Sequence, residues 1–383
     1  MPRRLPLALY LGSLCILSLF LWRAGWARTW SALQVPAMMP IFADMRVIQA
    51  ATELSRHGID PQTHSLEPIS AFPMNYPSIW IGIGEVLNLP AESHFLVVCA
   101  LVLLSFVGVG CFLLYRFPSY GLLACLLSTA TLLGMERGNC DLVVFCLVFA
   151  FVIALPRNWS LVPLLLAIAL KLYPVFAIAG YLTGRRYRIL LFAVAAASVV
   201  FILYRHELAG IRAVTLQGSS FVISYGFPSL ADYFVERRLS LWYFGLLVAI
   251  IGATTIFLTL ILFRRPALAL PEGQTFDLFV AGASIYVGTF ILSSNWDYRL
   301  IFLVLCVPFL TAGSVRFGRF LAVLVIIAMN ELLLRRLGVA GLAAVWLSKI
   351  GLFVVLGSSL GSWSLRSLHG QFRALKDRLA APR

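Results

Sequence analysis

Charge is scarce in this chain. Only 12% of its 383 residues are charged, and 16 acids face 30 lysines and arginines. The five histidines, His57, His64, His94, His206 and His369, show no metal-ligand spacing, so no metal site is expected. The seven cysteines, Cys15, Cys99, Cys111, Cys125, Cys140, Cys146 and Cys306, include no CxxC pair, which argues against a disulfide framework and a zinc site. A Walker loop, an HExxH and a G-x-S-x-G are all missing, and nothing points to a nucleotide cofactor. Internal repeats and low-complexity tracts are missing too, and no stretch is polar and long enough for a separate soluble domain.

What is present is apolar. Hydrophobic residues make up 61% of the chain and the mean hydropathy is +0.93, which no soluble globular domain matches. The expected fold is all-α, a polytopic transmembrane helical bundle forming one integral membrane domain over residues 1–383. The apolar runs are too long and too even for a transmembrane barrel, which alternates with period two. The net charge of +14 would suggest nucleic acid in a soluble protein. Here it collects in short loops and in a basic tail, residues 364–383, with Arg366, Arg373, Lys376, Arg378 and Arg383. The positive-inside rule and anionic lipid account for that pattern, so a lipid bilayer is the expected partner and nucleic acid is not.

The first 22 residues resemble a signal peptide, but the apolar core runs about 18 residues and no A-x-A site follows. A retained first span is expected. Candidate spans cover 5–22, 94–115, 119–135, 141–155, 189–204, 241–263, 276–293, 299–312, 319–334 and 339–357. Segments 77–90 and 160–183 are ambiguous. Both chain ends are basic, so the count should be even: ten if neither ambiguous segment crosses, twelve if both do. Loop charge favours ten, with two half-inserted helices. Arg185, Arg186, Arg188, Arg264, Arg265, Arg316 and Arg319 are cytosolic under either count. Residues 23–76, 204–240 and 293–299 share the extracytoplasmic face, which is periplasmic at a bacterial inner membrane.

The polar stretch 42–78 stands apart from its greasy surroundings. Val47, Ile48, Ala51 and Leu54 form a helical stripe, with Arg46, Gln49, Glu53 and Arg56 opposite. This predicts an amphipathic helix over 44–57, lying on the membrane surface and ended by Gly58, with a turn at Asp60-Pro61. Asp44 at its start suits a helix N-cap and equally a general base at the water–lipid boundary. Glu136-Arg137-Gly138-Asn139-Cys140-Asp141 interrupts two apolar runs, where charge is costly unless paired or wet. It reads as an internally paired loop or as a site in which Arg137 binds phosphate and Glu136, Asn139 and Asp141 hold sugar hydroxyls. Lys171 lies too deep in its apolar run to snorkel easily, and Pro174 breaks the helix beyond it. It needs an anionic ligand, or a structural pair with Glu136 or Asp141. In Ser293–Arg299, Asn295, Trp296, Asp297 and Tyr298 suit a sugar, while Trp296 and Tyr298 also suit an aromatic belt and Asp297 an ion pair with Arg299. Asp232, Glu236, Arg237 and Arg238 are weaker candidates.

The order of these features resembles glycosyltransferase family 87, membrane enzymes of the GT-C fold that use polyprenyl-phosphate sugars. The motifs that carry the resemblance are Asp44 after the first span, Gly58-Ile59-Asp60-Pro61, Tyr76-Pro77-Ser78, Lys171-Leu172-Tyr173-Pro174 and Tyr298-Arg299. The chain departs from the family with Gln62 after Asp-Pro and with Arg137-Gly138-Asn139-Cys140 in place of Gly-Gln-x-Asn. The resemblance implies an inverting transferase. It would move mannose or another hexose or pentose from a polyprenyl-phosphate donor to an extracytoplasmic glycan or glycolipid acceptor. Asp44 would be its base, Lys171, Arg137 and Arg299 its phosphate ligands, and Tyr76 a sugar contact, without a metal or other cofactor. A transporter or flippase of a lipid-linked or anionic solute is the alternative, since intramembrane charges and broken helices suit it equally. A non-catalytic envelope scaffold would leave Asp44 and Lys171 without a task.

Overall fold

A computed structural model describes residues 4–184, 186–214, 223–265, 273–312 and 317–380. Arg185, Arg316 and Arg383 lie outside the described residues, as do 215–222 of the middle polar segment. Of the tail's basic side chains only Arg366 is described. The described chain is almost wholly helical, and its one sheet pairs β1 (Ser224–Tyr225) antiparallel with β2 (Asn295–Trp296).

Among the described residues six helices are long and apolar enough to cross a membrane: Leu5–Ala24, Glu92–Arg116, Tyr187–Ile211, Leu241–Arg264, Gln274–Leu292 and Glu331–Gln371. Counting the pair Tyr120–Arg137 and Asp141–Ala154, bent by 115°, as one span makes seven. Ten to twelve single helices were expected from the apolar runs, and the difference has a local cause. The runs near 119–135, 299–312 and 319–334 fold as short or broken helices: Tyr120–Leu126 and Thr129–Arg137, then a 3-10 stretch Asp297–Cys306, then Gly318–Met329. Much of their apolar surface meets protein, though Tyr120, Phe320, Val323 and Leu333 stay exposed. Every residue from Leu300 to Leu310 is buried. Hydrocarbon demands length, about 20 residues for a helix, whereas a protein interior accepts shorter pieces.

The core centres on Gln274–Leu292. Of its apolar window 67% is buried, against 6% for Leu241–Arg264, so the latter is a peripheral helix that leaves Leu246, Ile250, Ile256 and Phe257 exposed. The central helix packs on the 3-10 stretches Asp297–Cys306 and Tyr173–Ala179 and on the C-terminal helix Gly338–Ala380. Close approach needs small residues where backbones meet. A Cβ on Gly282 would stand 2.5 Å from the Phe302 carbonyl oxygen, an atom that cannot swing aside. Gly282→Ala is therefore expected to cost about 1–3 kcal/mol through overpacking. The check is the unfolding midpoint of the detergent-solubilised protein, and an unchanged midpoint would show that the two segments can part at little cost.

The helix ends gather into two groups. Arg186 donates to the Pro156 carbonyl, Tyr187 Oη meets Ser367 Oγ at 3.4 Å, and Arg366 donates to the Arg265 carbonyl at 2.8 Å. At the other end of Tyr187–Val214, Glu207 accepts from Ser78 Oγ at 2.7 Å. Arg46 grips Glu92 there through two bonds of 2.6 and 2.7 Å. Both ambiguous segments thus return to the group they left. The chain leaves Ser78 for the eight-residue helix Ile79–Val86 and comes back at Glu92. From Pro156 it rises along Leu161–Leu170, breaks at Lys171, and descends to Arg186.

The first-loop helix spans Ala43–Arg56, Gly58 at φ +70° follows its end, and Asp60 Oδ1 accepts from Gln62 N to make the expected turn. Its polar face is only partly free: Arg46 and Gln49 are buried along with the apolar stripe, while Glu53 is half-buried and Arg56 exposed. The Glu92 carboxylate and the Phe95 ring, 4.1 Å from the Arg46 guanidinium carbon, draw that face inward.

Candidate functional site

Asp44 is not a helix cap. Phe42 occupies the N-cap position in the left-handed region, at φ 61° and ψ 43°, with no side-chain capping bond. A bulky residue there is uncommon and costs strain. The half-buried Asp44 stands in the first turn and turns its side chain across to Asn139, whose Nδ2 donates to Asp44 Oδ2.

Asn139 is placed by a helix stop. Gly138 at φ +57° closes Thr129–Arg137, and a Cβ on it would stand 3.0 Å from the Phe42 Cβ, so the two loops meet backbone to side chain. The Asn139 Oδ1 accepts from the Asp141 amide at 2.7 Å and lies 3.5 Å from Lys171 Nζ. Lys171 ends Leu161–Leu170 in extended backbone, φ −152° and ψ 126°, and Pro174 enters the following 3-10 turn. Its ammonium pairs with Asp141 Oδ1 and stands 4.9 Å from the centre of the Tyr76 ring. The other Asp141 oxygen faces Arg299 Nε at 3.4 Å. Arg299 donates to Asn295 Oδ1, and its guanidinium carbon lies 4.4 Å from the centre of the Tyr173 ring. Tyr298 is within electrostatic reach of Asp44 and Asp141.

One polar network therefore joins Asp44, Asn139, Asp141, Lys171, Arg299 and Asn295, with Tyr76 and Tyr298 beside it. Two cations share one carboxylate, Asp141, leaving a net positive charge next to Asp44. Burial raises the Asp44 carboxyl above the usual carboxylate range, while the positive charges of Arg137 and Lys171 and the Asn139 bond oppose that rise.

Other expected residues stand elsewhere. Glu136 accepts from Trp26 Nε1 at 3.2 Å and from the Met38 amide at 2.8 Å. Arg137 pairs with Glu136 at 3.0 Å and donates to the Pro36 carbonyl at 3.3 Å. This internally paired arrangement pins residues 26–38 rather than joining the network. Trp296 sits in β2 opposite Ser224. Asp297 does not pair with Arg299. It turns to Lys349, whose Nζ donates to Asp297 Oδ1 at 2.7 Å, to the Ser224 carbonyl at 2.9 Å and to Glu331 Oε2.

Lys349 and Glu331 were not singled out from the sequence. The signal was nonetheless there: Lys349 interrupts the apolar run 339–357 as Lys171 interrupts 160–183. Among the described residues no group of three or more His, Cys, Asp or Glu side chains is arranged to hold a metal ion. Comparison with protein-family models, curated proteins and solved structures returns no match.

The Lys171–Asp141 pair carries its own expectation. Lys171→Met leaves Asp141 with Arg299 alone, and Asp141→Asn leaves the two cations together. Each change should lower the unfolding midpoint, and the double change should recover part of the loss. A coupling of about 0.5–3 kcal/mol is expected in a double-mutant cycle. Strictly additive effects would show that the two side chains do not support each other.

Proposed function

We propose that the chain is a membrane glycosyltransferase. It moves a sugar, mannose or another hexose or pentose, from a polyprenyl-phosphate donor to a glycan or glycolipid acceptor, with inversion. One observation carries this reading: a carboxylate, Asp44, stands in the same buried network as two cations, Lys171 and Arg299. These come from three segments far apart in sequence. The order of motifs that resembles glycosyltransferase family 87 and its GT-C fold supports it.

In this reaction an acceptor hydroxyl oxygen attacks the anomeric carbon and its proton passes to the Asp44 carboxylate. The bond from the anomeric carbon to the phosphate oxygen breaks, and the lipid phosphate leaves with the electron pair. Lys171 and Arg299 face the charge that develops on the phosphate, in a buried site where such charge stabilisation is strong. Asp141 keeps both cations compensated until the phosphate arrives. Arg137 is held by Glu136 and the Pro36 carbonyl, and its positive charge acts on Asp44, which it helps keep ionised.

The helix ends support a sidedness. The group with Arg186, Arg264, Arg265 and Arg366 is the cytosolic face by the positive-inside rule, and the network lies at the opposite, extracytoplasmic end. A bacterial inner membrane is the setting this reading favours.

The test is transfer from a radiolabelled polyprenyl-phosphate hexose by protein in nanodiscs, with a hydroxyl-bearing glycolipid as acceptor. Label should appear on the acceptor for the wild type and not for Asp44→Asn. Passage of intact donor between the leaflets of proteoliposomes, without transfer, would replace the transferase with a flippase.

A further inference from the structure

A groove of about 470 Å³ lies outside the network, and of its lining residues only Pro36 has appeared above, as an acceptor from Arg137. It is lined by Ser31, Gln34, Val35, Pro36, Ile223, Leu332, Arg335 and Arg336. Its volume falls in the range of about 300–1,000 Å³ common for small-ligand pockets. Both arginines are exposed. Arg336 Nε donates to Gln34 Oε1 at 2.8 Å, a neutral partner, and the Arg335 side chain makes no hydrogen bond or ion pair among the described residues. Two arginines consecutive in sequence, with no carboxylate among the lining residues, thus border a cavity that also offers amide and hydroxyl groups.

The groove is built into the two loops that carry the site. One wall, Ser31 to Pro36, leads into Asp44 through the loop that Glu136 and Arg137 pin at Met38 and Pro36. The other wall is Ile223 and Leu332. The Ile223 amide donates to Glu331 Oε1 at 2.6 Å and its carbonyl accepts from the Asp297 amide at 3.0 Å. Asp297 precedes Arg299 by two residues. A ligand in the groove is therefore held between the segment of the base and the segment of the cation. Gln34 and Ile223, both lining the groove, take positive φ, 63° and 62°. For a β-branched residue that is a marked outlier, and such strain concentrates at functional positions.

We propose that this groove binds the anionic polar head of the acceptor, a phosphate or carboxylate on a saccharide-sized body, with Arg335 and Arg336 as its charge partners. Naming the ligand as acceptor rests on the transferase reading; the anion site itself does not. Exposed Leu333, Leu337 and Val339 lie next to the arginines, so the head group could come from a lipid or from a soluble glycan. The competing explanation is that Arg335 and Arg336 are membrane-interface anchors with no ligand.

Equilibrium binding of glucose 1-phosphate and of glucose to the full chain in zwitterionic nanodiscs separates these. The wild type should bind glucose 1-phosphate and discriminate against glucose. Arg335→Gln with Arg336→Gln should weaken glucose 1-phosphate by at least about tenfold, since hydrogen bonds to charged groups are lost, while glucose binding stays unchanged. Loss of glucose 1-phosphate binding when the nanodiscs contain phosphatidylglycerol would identify a lipid head group as the source, and persistence would identify a soluble acid. Glucose 1-phosphate that binds the double variant as it binds the wild type, or does not bind the wild type, overturns the proposal and leaves the arginines as anchors. Binding is read without turnover, so failure of the transferase reading would appear separately, in the Asp44→Asn transfer assay.

Discussion

Asp44→Asn should reduce sugar transfer by about a hundred- to ten-thousand-fold, the usual loss when a general base is removed. The substitution is a clean one here. Asp44 does not cap its helix, so no capping bond is lost. Asn139 Nδ2 donates to Asp44 Oδ2, and an asparagine carbonyl oxygen can accept the same bond. Asparagine also nearly matches aspartate in volume. Expression, the unfolding midpoint and donor binding should therefore stay close to wild type while transfer collapses. The wild-type pH profile gives a second reading of the same group. The base works only when ionised, so the rate must fall as pH drops through its pKa. Burial raises that pKa, so the acid limb should lie above the normal aspartate value of about 3.9. Asp44→Asn should erase this limb from whatever activity remains. Near-normal transfer by Asp44→Asn would move the base elsewhere in the network, with Asp141 the first candidate to examine.

Lys349→Met should cost about 3–5 kcal/mol, the typical penalty for breaking a buried ion pair by removing one partner. Lys349 is fully buried, and its ammonium is shared by Asp297, Glu331 and the Ser224 carbonyl. Methionine fills most of the volume and supplies none of the donors. Two buried carboxylates, 3% and 1% exposed, then face each other without a cation. The cluster ties the C-terminal helix to β1 and to the segment entering Asp297–Cys306, so its failure should loosen the loop that presents Arg299. The unfolding midpoint in nanodiscs measures the loss. Lys349→Met combined with Asp297→Asn and Glu331→Gln removes the stranded charges and should regain much of it, because neutral replacements for a buried ionic group often cost little. If the triple variant is no more stable than Lys349→Met, the penalty comes from packing around the lysine stem.

Local pattern carried the reading of the chain where chemistry and backbone act over a few residues. The stripe Val47, Ile48, Ala51 and Leu54 placed a helix within one residue of its observed bounds, and Gly58 follows its end. Pro174 and the unsnorkelled Lys171 marked a broken helix, and the chain breaks there. The same reading went astray where the neighbour decides. Arg46 and Gln49 look like a solvated face in sequence, yet Glu92 and Phe95 bury them. Asp297 and Arg299 lie close enough in sequence to suggest a pair, yet Asp297 goes to Lys349 and Arg299 to Asp141.

The sequence by itself determined that this is an apolar, all-helical chain with basic ends, a polar first loop and a lysine that cannot sit in hydrocarbon alone. Composition and period suffice for that, because transfer of apolar and charged groups out of water depends on residue type and not on partner. Only the tertiary structure decided which charges meet and how many apolar runs stand as full-length helices. The bond from Asn139 to Asp44 joins residues 95 apart, and that from Arg299 to Asp141 residues 158 apart. Such pairs are set by how helices pack, which no local window contains. An apolar run reads the same whether lipid or protein will cover it, so 299–312 resembled a span until the fold supplied its neighbours.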